Sequence, residues 1–173
     1  HYSEKHFGKL LGFSSESLPR ETANLQIIPV GIIMDEEGNL QKTYEALVFG
    51  VPDPKNGIID APISRLPLPS LLRQVDPAGK PSLTKYAVSE EFSCYSRVEL
   101  TPVTGRTHQL RLHCAHMGYP ILGDPQYTTE RGKEISAQMG LTHQLLCAKS
   151  LRFVHPVTEM PFFLESGMDV IAK

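Results

Sequence analysis

The sequence has no long hydrophobic run, few cysteines and no excess of charge of one sign. No apolar segment approaches the roughly 18 residues of a membrane-spanning helix, so we predict no membrane partner. The amino terminus has no basic stretch leading into an apolar one, so no secretory signal is visible. The three cysteines form no CxxC pair, which excludes a disulfide framework and favours a reducing, cytoplasmic compartment. The net charge of −2 excludes a strongly basic nucleic-acid coat but allows a local RNA-binding surface.

Several common catalytic signatures are also absent. There is no GxSxG elbow for a serine nucleophile, and no Walker loop or GxGxxG motif for a nucleotide cofactor. No HExxH helix or CxxC pair offers zinc ligands at a recognised spacing. What remains is a chain of 173 residues, 40% hydrophobic and 21% charged, which suits one soluble folded domain.

The hydrophobic pattern changes near residue 42. In residues 1–41 the pattern is weak, and it suggests a hairpin that pairs Ile32–Met34 with Thr43–Val48 around an acidic turn. From Lys42 onward, apolar and polar residues alternate more clearly, which is typical of strands. The predicted strands are residues 43–50, 82–90, 95–101, 144–154 and 160–165. The proline-rich residues 64–81 are predicted to form a surface loop.

One helix is predicted with defined ends. It runs from His108 to about Met117, with Thr107 as the capping residue and Gly118 just after its end. The 4 and 3 spacing of Leu110, Cys114 and Met117 places them on one face, which we expect to be buried. Residues 126–140 are predicted to be helical in part.

The densest polar cluster lies at the start of this helix, between Thr104 and His113. It contains Arg106 and Arg111 but no carboxylate. The planar guanidinium groups of arginines next to a helix amino terminus can bind a phosphate or orient a carboxylate. The alternative is a helix whose arginines simply pair with surface acids.

Metal binding is a second interpretation of this segment, because histidine and cysteine are zinc ligands. The spacing does not favour it, since His108 and His113 are five residues apart and point in different directions on a helix. A site that draws on distant residues such as His143 or Cys147 stays open. We predict no metal.

The run Arg97–His113, followed by Gly118–Asp124, closely resembles the RluA-type RNA pseudouridine synthases, and its string Thr-Gly-Arg-Thr-His-Gln-Leu-Arg is highly specific. Further segments resemble the family in order and at suitable intervals, so that the likeness covers residues 42–165. They are Lys42–Ala46, Gly79–Tyr86, Leu145–Ala148 and Phe153–Pro156.

The resemblance implies a fold and an activity. The fold would be α+β, with a mixed, largely antiparallel sheet, flanking helices and an RNA cleft along one face. The activity would be isomerisation of uridine to pseudouridine in rRNA or tRNA, by cleavage of the N1 glycosidic bond and reattachment through C5. Such enzymes need no metal and no organic cofactor, and RNA would be the partner.

The resemblance also implies roles for individual residues. Arg111 would pair with the catalytic aspartate and hold it ionised. Tyr44 would lie against the everted target base, where stacking offsets part of the cost of flipping. Asp124 would be structural and tie down the turn after the helix. The RNA-binding residues at the pocket mouth would be Arg106, Thr107, His108 and Gln109.

One family feature is missing. The family's catalytic aspartate lies in a His-Arg-Leu-Asp motif, which does not occur here, and the catalytic aspartate is therefore not identified. Asp35 is the only aspartate before Tyr44, and its Met-Asp-Glu-Glu-Gly setting is typical of an exposed turn. We therefore predict that residues 1–41 do not match the family and that residues 42–173 are the carboxyl-terminal part of a synthase catalytic domain.

Two functional hypotheses follow from this. The chain is either part of a pseudouridine synthase whose aspartate lies outside it, or a catalytically inactive RNA-binding module derived from that fold. In a complete enzyme, Arg111→Ala is expected to abolish activity and leave the fold intact.

Overall fold

The structure is a computed structural model that describes residues 40–155, 158–167 and 170. These residues form eight strands and two helices. The helices are α1 (Gln109–His116) and α2 (Glu130–Gln138). The strands are β1 (Leu40–Phe49), β2 (Asn56–Asp60), β3 (Ile63–Arg65), β4 (Arg73–Val75), β5 (Leu83–Glu91), β6 (Tyr95–Pro102), β7 (Leu146–Val154) and β8 (Pro161–Glu165).

Six of these strands form one sheet in the order β2-β5-β6-β1-β7-β8. Every pair of neighbours in it is antiparallel. Strand β1 lies near the centre, where Tyr44 is opposite Leu100 of β6 on one side and Ala148 of β7 on the other. The predicted α+β fold with a largely antiparallel sheet is confirmed.

The two helices cover opposite faces of the sheet, because successive side chains of a strand point to opposite sides. Ala46 and Val48 of β1 are buried with Leu110 and Cys114 of α1. Leu47 points the other way and is buried with Ile135 of α2. The apolar face predicted for the first helix is therefore the face that packs on the sheet.

The prediction of a simple loop over residues 64–81 is wrong in part. Strands β3 and β4 pair within this region and place Ile63 opposite Val75. Ile63 and Val75 pack against Leu112 of α1 and against Tyr127, which explains why a hairpin forms despite the prolines. Strand alternation was hard to recognise because each strand has only three residues.

The prediction that Thr107 caps α1 is also wrong. His108 is the N-cap residue; it has a left-handed backbone with φ 59° and makes no side-chain capping bond. The amide oxygen of Gln109 instead accepts a hydrogen bond from the backbone N–H of Arg106 at 2.9 Å. The carboxyl end of α1 is as predicted, with Gly118 at φ 89° directly after Met117.

The predicted hairpin of Ile32–Met34 lies outside the described residues, as does nearly all of the segment 1–41. The division of the chain at residue 41 stays a prediction. Among the described residues, neither helix has the length and apolar character needed to cross a membrane.

Candidate functional site

A buried ion pair joins α1 to the segment that follows it. Nε and Nη2 of Arg111 each donate to one carboxylate oxygen of Asp124, both at 2.7 Å. The side chain of Arg111 is 12% exposed and that of Asp124 is 0% exposed. Nη2 also donates to the side-chain oxygen of Gln126 at 2.9 Å. The Arg111 fork is thus held in one orientation from two sides.

Asp124 also organises the turn after α1, as expected from the sequence. Its Oδ1 accepts hydrogen bonds from the backbone N–H groups of Gln126 and Tyr127, at 2.9 and 3.0 Å. Burial raises the pKa of Asp124, but the hydrogen bonds from Arg111 and from these two N–H groups outweigh burial and hold the pKa below its ordinary value. The carboxylate therefore stays ionised and keeps its pairing with Arg111.

The position of Asp124 depends on the glycine before it. Gly123 has φ 76°, and a Cβ atom at this residue would meet the backbone carbonyl oxygen of His143. The serine hydroxyl of Ser136, in α2, accepts a hydrogen bond from the Gly123 N–H at 2.9 Å. The chain is thus held between α2 and residue 143, where no larger side chain fits.

We expect Gly123→Ala to destabilise the protein more than Gly140→Ala does. Both glycines have positive φ, but the space around the Gly140 position is open to 4 Å. Gly140→Ala should cost about 1–2 kcal/mol from the backbone conformation alone. Gly123→Ala should cost at least about 2 kcal/mol more because the backbone must move. Urea denaturation of both variants checks this, and equal losses would contradict it.

Tyr44 lies on the same face of the sheet as α1. Its half-buried side chain packs against the cluster that contains Leu110 and Cys114. Burial raises the pKa of the Tyr44 hydroxyl, so this group stays protonated at neutral pH. The structure therefore places Tyr44 and the helix that carries Arg111 over one side of the central strand.

Tyr127 connects Arg111 with two further basic residues. The Arg111 guanidinium lies over the Tyr127 ring, 4.9 Å from its centroid. The Tyr127 hydroxyl accepts a hydrogen bond from the backbone N–H of Arg73 in β4 at 2.9 Å, and lies 3.0 Å from Nδ1 of His108. The hydroxyl accepts from Arg73 and still has its own proton, so in one tautomer of neutral His108 it donates that proton to Nδ1, and in the other it accepts from Nδ1–H.

The electrostatics of His108 favour a neutral ring. Burial lowers the pKa of His108, and the positive charges of Arg111 and Arg73 lower it further. Sequence reasoning found neither Arg73 nor Tyr127. Arg73 lies in the region predicted to be a loop, and Tyr127 is 54 residues away from it along the chain.

The four residues predicted to bind RNA differ in accessibility. Arg106 and Thr107 are exposed, and Nε of Arg106 donates to the Pro81 carbonyl at 3.2 Å. His108 is half-buried. Gln109 is 3% exposed.

The Gln109 amide is fully engaged inside the protein. Its nitrogen donates to the Leu83 carbonyl and to the Thr84 hydroxyl, both at 3.0 Å. Its oxygen accepts from the Thr104 hydroxyl at 2.8 Å and from the Arg106 N–H. Gln109 thus ties the start of α1 to β5, and its RNA-binding role stays a prediction.

His113 is a core residue with both ring nitrogens hydrogen-bonded. Nε2 is 2.9 Å from the Ala61 carbonyl and therefore carries the proton. Nδ1 accepts from the Thr84 hydroxyl at 2.9 Å. Within the described residues, no group of three or more His, Cys, Asp or Glu side chains could hold a metal ion. Complete burial of Cys114 raises the pKa of its thiol to about 12, which keeps it from acting as a nucleophile.

We expect stability to fall as the pH falls below neutral. Burial lowers the pKa of His113 below its ordinary value of 6.5, so the unfolded chain takes up a proton before the folded protein does. The free energy of unfolding should therefore decrease as the pH drops through 6.5 towards the folded-state pKa. The decrease is at most about 1.4 kcal/mol per pH unit for this one proton.

Urea denaturation at a series of pH values checks this expectation. His113→Gln removes the titrating group and retains groups that can bond to Thr84 and Ala61. This variant should show a shallower pH dependence than the wild type. An equally steep decrease in both proteins would mean that His113 is not responsible.

Comparisons with known proteins agree with this architecture. A protein-family model described as RNA pseudouridylate synthase matches residues 28–116. The ribosomal large subunit pseudouridine synthase C of Vibrio cholerae is 41% identical over 133 residues, which cover 77% of this chain and 42% of that protein. The ribosomal large subunit pseudouridine synthase D of Pasteurella multocida is 35% identical over 155 residues, which cover 82% of this chain and 48% of that protein. The chain therefore spans less than half the length of these curated relatives.

Solved structures are similar over most of the chain. Human RNA pseudouridylate synthase domain containing 1 matches with a TM-score of 0.64 and 29% identity, covering 75% of this chain and 55% of that one. Human RNA pseudouridylate synthase domain containing 4 shares the fold, with a TM-score of 0.59 and 24% identity over 75% of this chain and 58% of that one.

Proposed function

Because the chain belongs to the RNA pseudouridylate synthase family, we propose that its residues 42–173 are the carboxyl-terminal part of the catalytic domain of an enzyme that isomerises uridine to pseudouridine in rRNA or tRNA. The proposed reaction uses no metal and no organic cofactor. Relatives named for the large ribosomal subunit favour rRNA as the substrate. The proposed location is the cytoplasm, where such RNA is found.

The observation that carries this proposal is the placement of Arg111 and Tyr44. The helix bearing Arg111 packs on the same sheet face as Tyr44, and Asp124 holds the Arg111 fork in a single orientation. A rigid guanidinium can keep a catalytic carboxylate ionised next to the sugar. The ring of Tyr44 can stack against a base that has left its helix.

The pairing with Asp124 leaves one nitrogen of the Arg111 guanidinium available for this role. Asp124 engages Nε and Nη2 of Arg111, and Nη1 makes no hydrogen bond to the residues that the structure describes. We infer that Nη1 is the donor offered to the catalytic aspartate. Asp124 then orients the Arg111 guanidinium, and the catalytic aspartate is the carboxylate that reacts with the substrate.

The remaining predicted residues divide into two groups. Arg106, Thr107 and His108 are accessible enough to contact the RNA backbone at the pocket mouth. Gln109 uses its whole hydrogen-bonding capacity within the protein, so its proposed contribution is to position the other three.

An inactive RNA-binding module is the second candidate. It is favoured by one observation, the lack of a His-Arg-Leu-Asp motif in the 173 residues. Such a module would keep the arginine, the tyrosine and the RNA-binding surface but would not break the glycosidic bond.

One experiment separates the two candidates. The reading frame upstream of the His1 codon is sequenced, and its complete product and the 173-residue chain are each incubated with rRNA fragments and tRNA. Pseudouridine is then quantified by mass spectrometry of the digested RNA. We expect turnover by a complete product that contains His-Arg-Leu-Asp and none by the chain alone. A complete product without turnover would favour the inactive module, and turnover by the chain alone would mean that an acid within it is catalytic.

A further inference from the structure

The β3–β4 hairpin brings two arginines together at its tip. Arg65 and Arg73 are directly opposite each other in the antiparallel register, where side chains begin about 5 Å apart. Like charges in this position repel each other unless an anion lies between them. Among residues 40–155, 158–167 and 170, no carboxylate forms an ion pair with either arginine.

The acidic residue closest in sequence lies at the other end of the hairpin. Asp76 follows β4 directly, next to the pair formed by Ile63 and Val75. Its carboxylate accepts a hydrogen bond from the Ala78 N–H at 2.9 Å. The two arginines at the tip therefore keep an uncompensated positive charge.

Arg65 and Arg73 lie on the face of the hairpin that packs against α1. Arg65 and Arg73 share a hairpin face with Ile63 and Val75, because side chains alternate along each strand. Ile63 and Val75 on this face pack against Leu112 of α1.

Arg73 has an unused hydrogen-bond donor at this position. Its Nη1 is buried and has no hydrogen-bond partner among the described residues. A buried guanidinium nitrogen without a partner is costly, and a turn of the Arg73 side chain that exposes this nitrogen would let an anionic ligand satisfy it.

His108 lies next to the backbone of Arg73. The Tyr127 hydroxyl lies between the Arg73 backbone and Nδ1 of His108. Nε2 of His108 makes no hydrogen bond to the residues that the structure describes, and in the tautomer in which Tyr127 donates to Nδ1 it carries the proton of the ring. Tyr127 thus joins His108 to the strand that carries Arg73, and the positive charge of Arg73 is near enough to lower the pKa of His108.

We propose that Arg65, Arg73 and His108 form a phosphate-binding site for the RNA backbone on the side of Tyr127 away from Asp124, near Arg111. The site rests on the proposed function for its ligand, since the phosphodiester of the substrate RNA is the anion that would be present there. Planar arginine forks match the oxygens of a phosphate, and an RNA strand held here would be fixed relative to Arg111. None of the three contacts reads the base, so the site contributes affinity and register without sequence preference.

The salt dependence of RNA binding tests this site. The 173-residue chain and its variants are titrated against a labelled, single-stranded, uridine-containing RNA over a range of KCl concentrations. Removing one phosphate contact from a single strand should lower the slope of log K against log salt by about 0.7. We expect Arg73→Ala and Arg65→Ala each to do so and to weaken binding about tenfold at low salt. Arg73→Lys should keep most of the slope because it keeps the charge.

Arg131→Ala is the matched control. Arg131 is an exposed arginine on α2, paired with Glu134, so its removal changes the net charge equally without touching the hairpin. Binding by this variant should change less than twofold, with an unchanged slope. Thermal melting establishes whether each variant is folded. Because Arg65 is exposed, Arg65→Ala is expected to fold, and it still tests the site if Arg73→Ala does not fold.

The outcomes separate this site from the proposed function. If both hairpin variants behave like Arg131→Ala, or if the wild-type chain does not bind RNA, the phosphate site is refuted. If they lower the slope while the complete protein forms no pseudouridine, the site stands and the proposed enzymatic activity fails.

Discussion

Replacing Arg111 by alanine is expected to lower the free energy of unfolding by about 3–5 kcal/mol, because it leaves a buried carboxylate without its counterion. The side chain of Asp124 is 0% exposed, and its pKa is held below the ordinary value by this guanidinium among other donors. The two backbone N–H groups that also bind Asp124 remain in the variant, which favours the lower end of the range. Urea denaturation at neutral pH measures the loss.

The double variant Arg111→Ala/Asp124→Ala tests the cause. If the loss comes from the uncompensated charge, the double variant should be more stable than the sum of the two single losses predicts. Arg131→Ala is a control, because its partner Glu134 is 57% exposed and such surface pairs contribute about 1 kcal/mol or less. Additive losses, or a loss as small as that of Arg131→Ala, would contradict this account.

This ion pair changes the expectation drawn from the sequence for Arg111→Ala. An activity lost in that variant would be ambiguous, since the fold is also weakened. Arg111→Lys is the better probe of function, because it keeps the charge beside Asp124 and loses only the planar fork.

Replacing Tyr44 by alanine in a complete enzyme is expected to lower kcat/KM by about 5- to 150-fold, because stacking of a base on an aromatic ring contributes about 1–3 kcal/mol. Tyr44→Phe should retain most of the activity if the ring supports the base. The raised pKa of Tyr44 agrees with a role for the ring rather than for an ionised hydroxyl. Initial rates of pseudouridine formation on an rRNA fragment check both variants.

Tyr119→Ala is the matched control for this experiment. Tyr119 also packs, half-buried, against the cluster that contains Ala46 and Val48, so its loss should reduce stability in a similar way. Its kcat/KM should stay close to that of the wild type at a temperature where both variants are folded. Equal losses of kcat/KM in Tyr44→Ala and Tyr119→Ala would assign the effect to packing and refute a contact between Tyr44 and the base.

Local patterns located most of the elements. The patterns of β1, β5 and β6 predicted these strands to within a few residues. Strands β5 and β6 alternate because one face of each is in the core, whereas β1 buries side chains on both faces. Helix α1 was predicted from its spacing and from Gly118. The hairpin of β3 and β4 was missed, since three-residue strands next to prolines leave too short a pattern, and its stability comes from contacts with Leu112 and Tyr127.

The string from Thr104 to Arg111 and the other family-like segments were enough to identify the family, and the resemblance singled out Arg111 and Tyr44, because such motifs can be recognised along the chain without its fold. Which partners these residues have depends on contacts between distant parts of the chain. Only the tertiary structure decided that Arg111 is held by Asp124, that Gln109 faces inward, and that the Arg73 backbone and the His108 ring both contact the Tyr127 hydroxyl. The reason is physical. A buried charge or hydrogen-bond donor needs an oppositely charged group or an acceptor within a few ångströms, and the sequence shows which groups exist but not the distances between them in the folded protein.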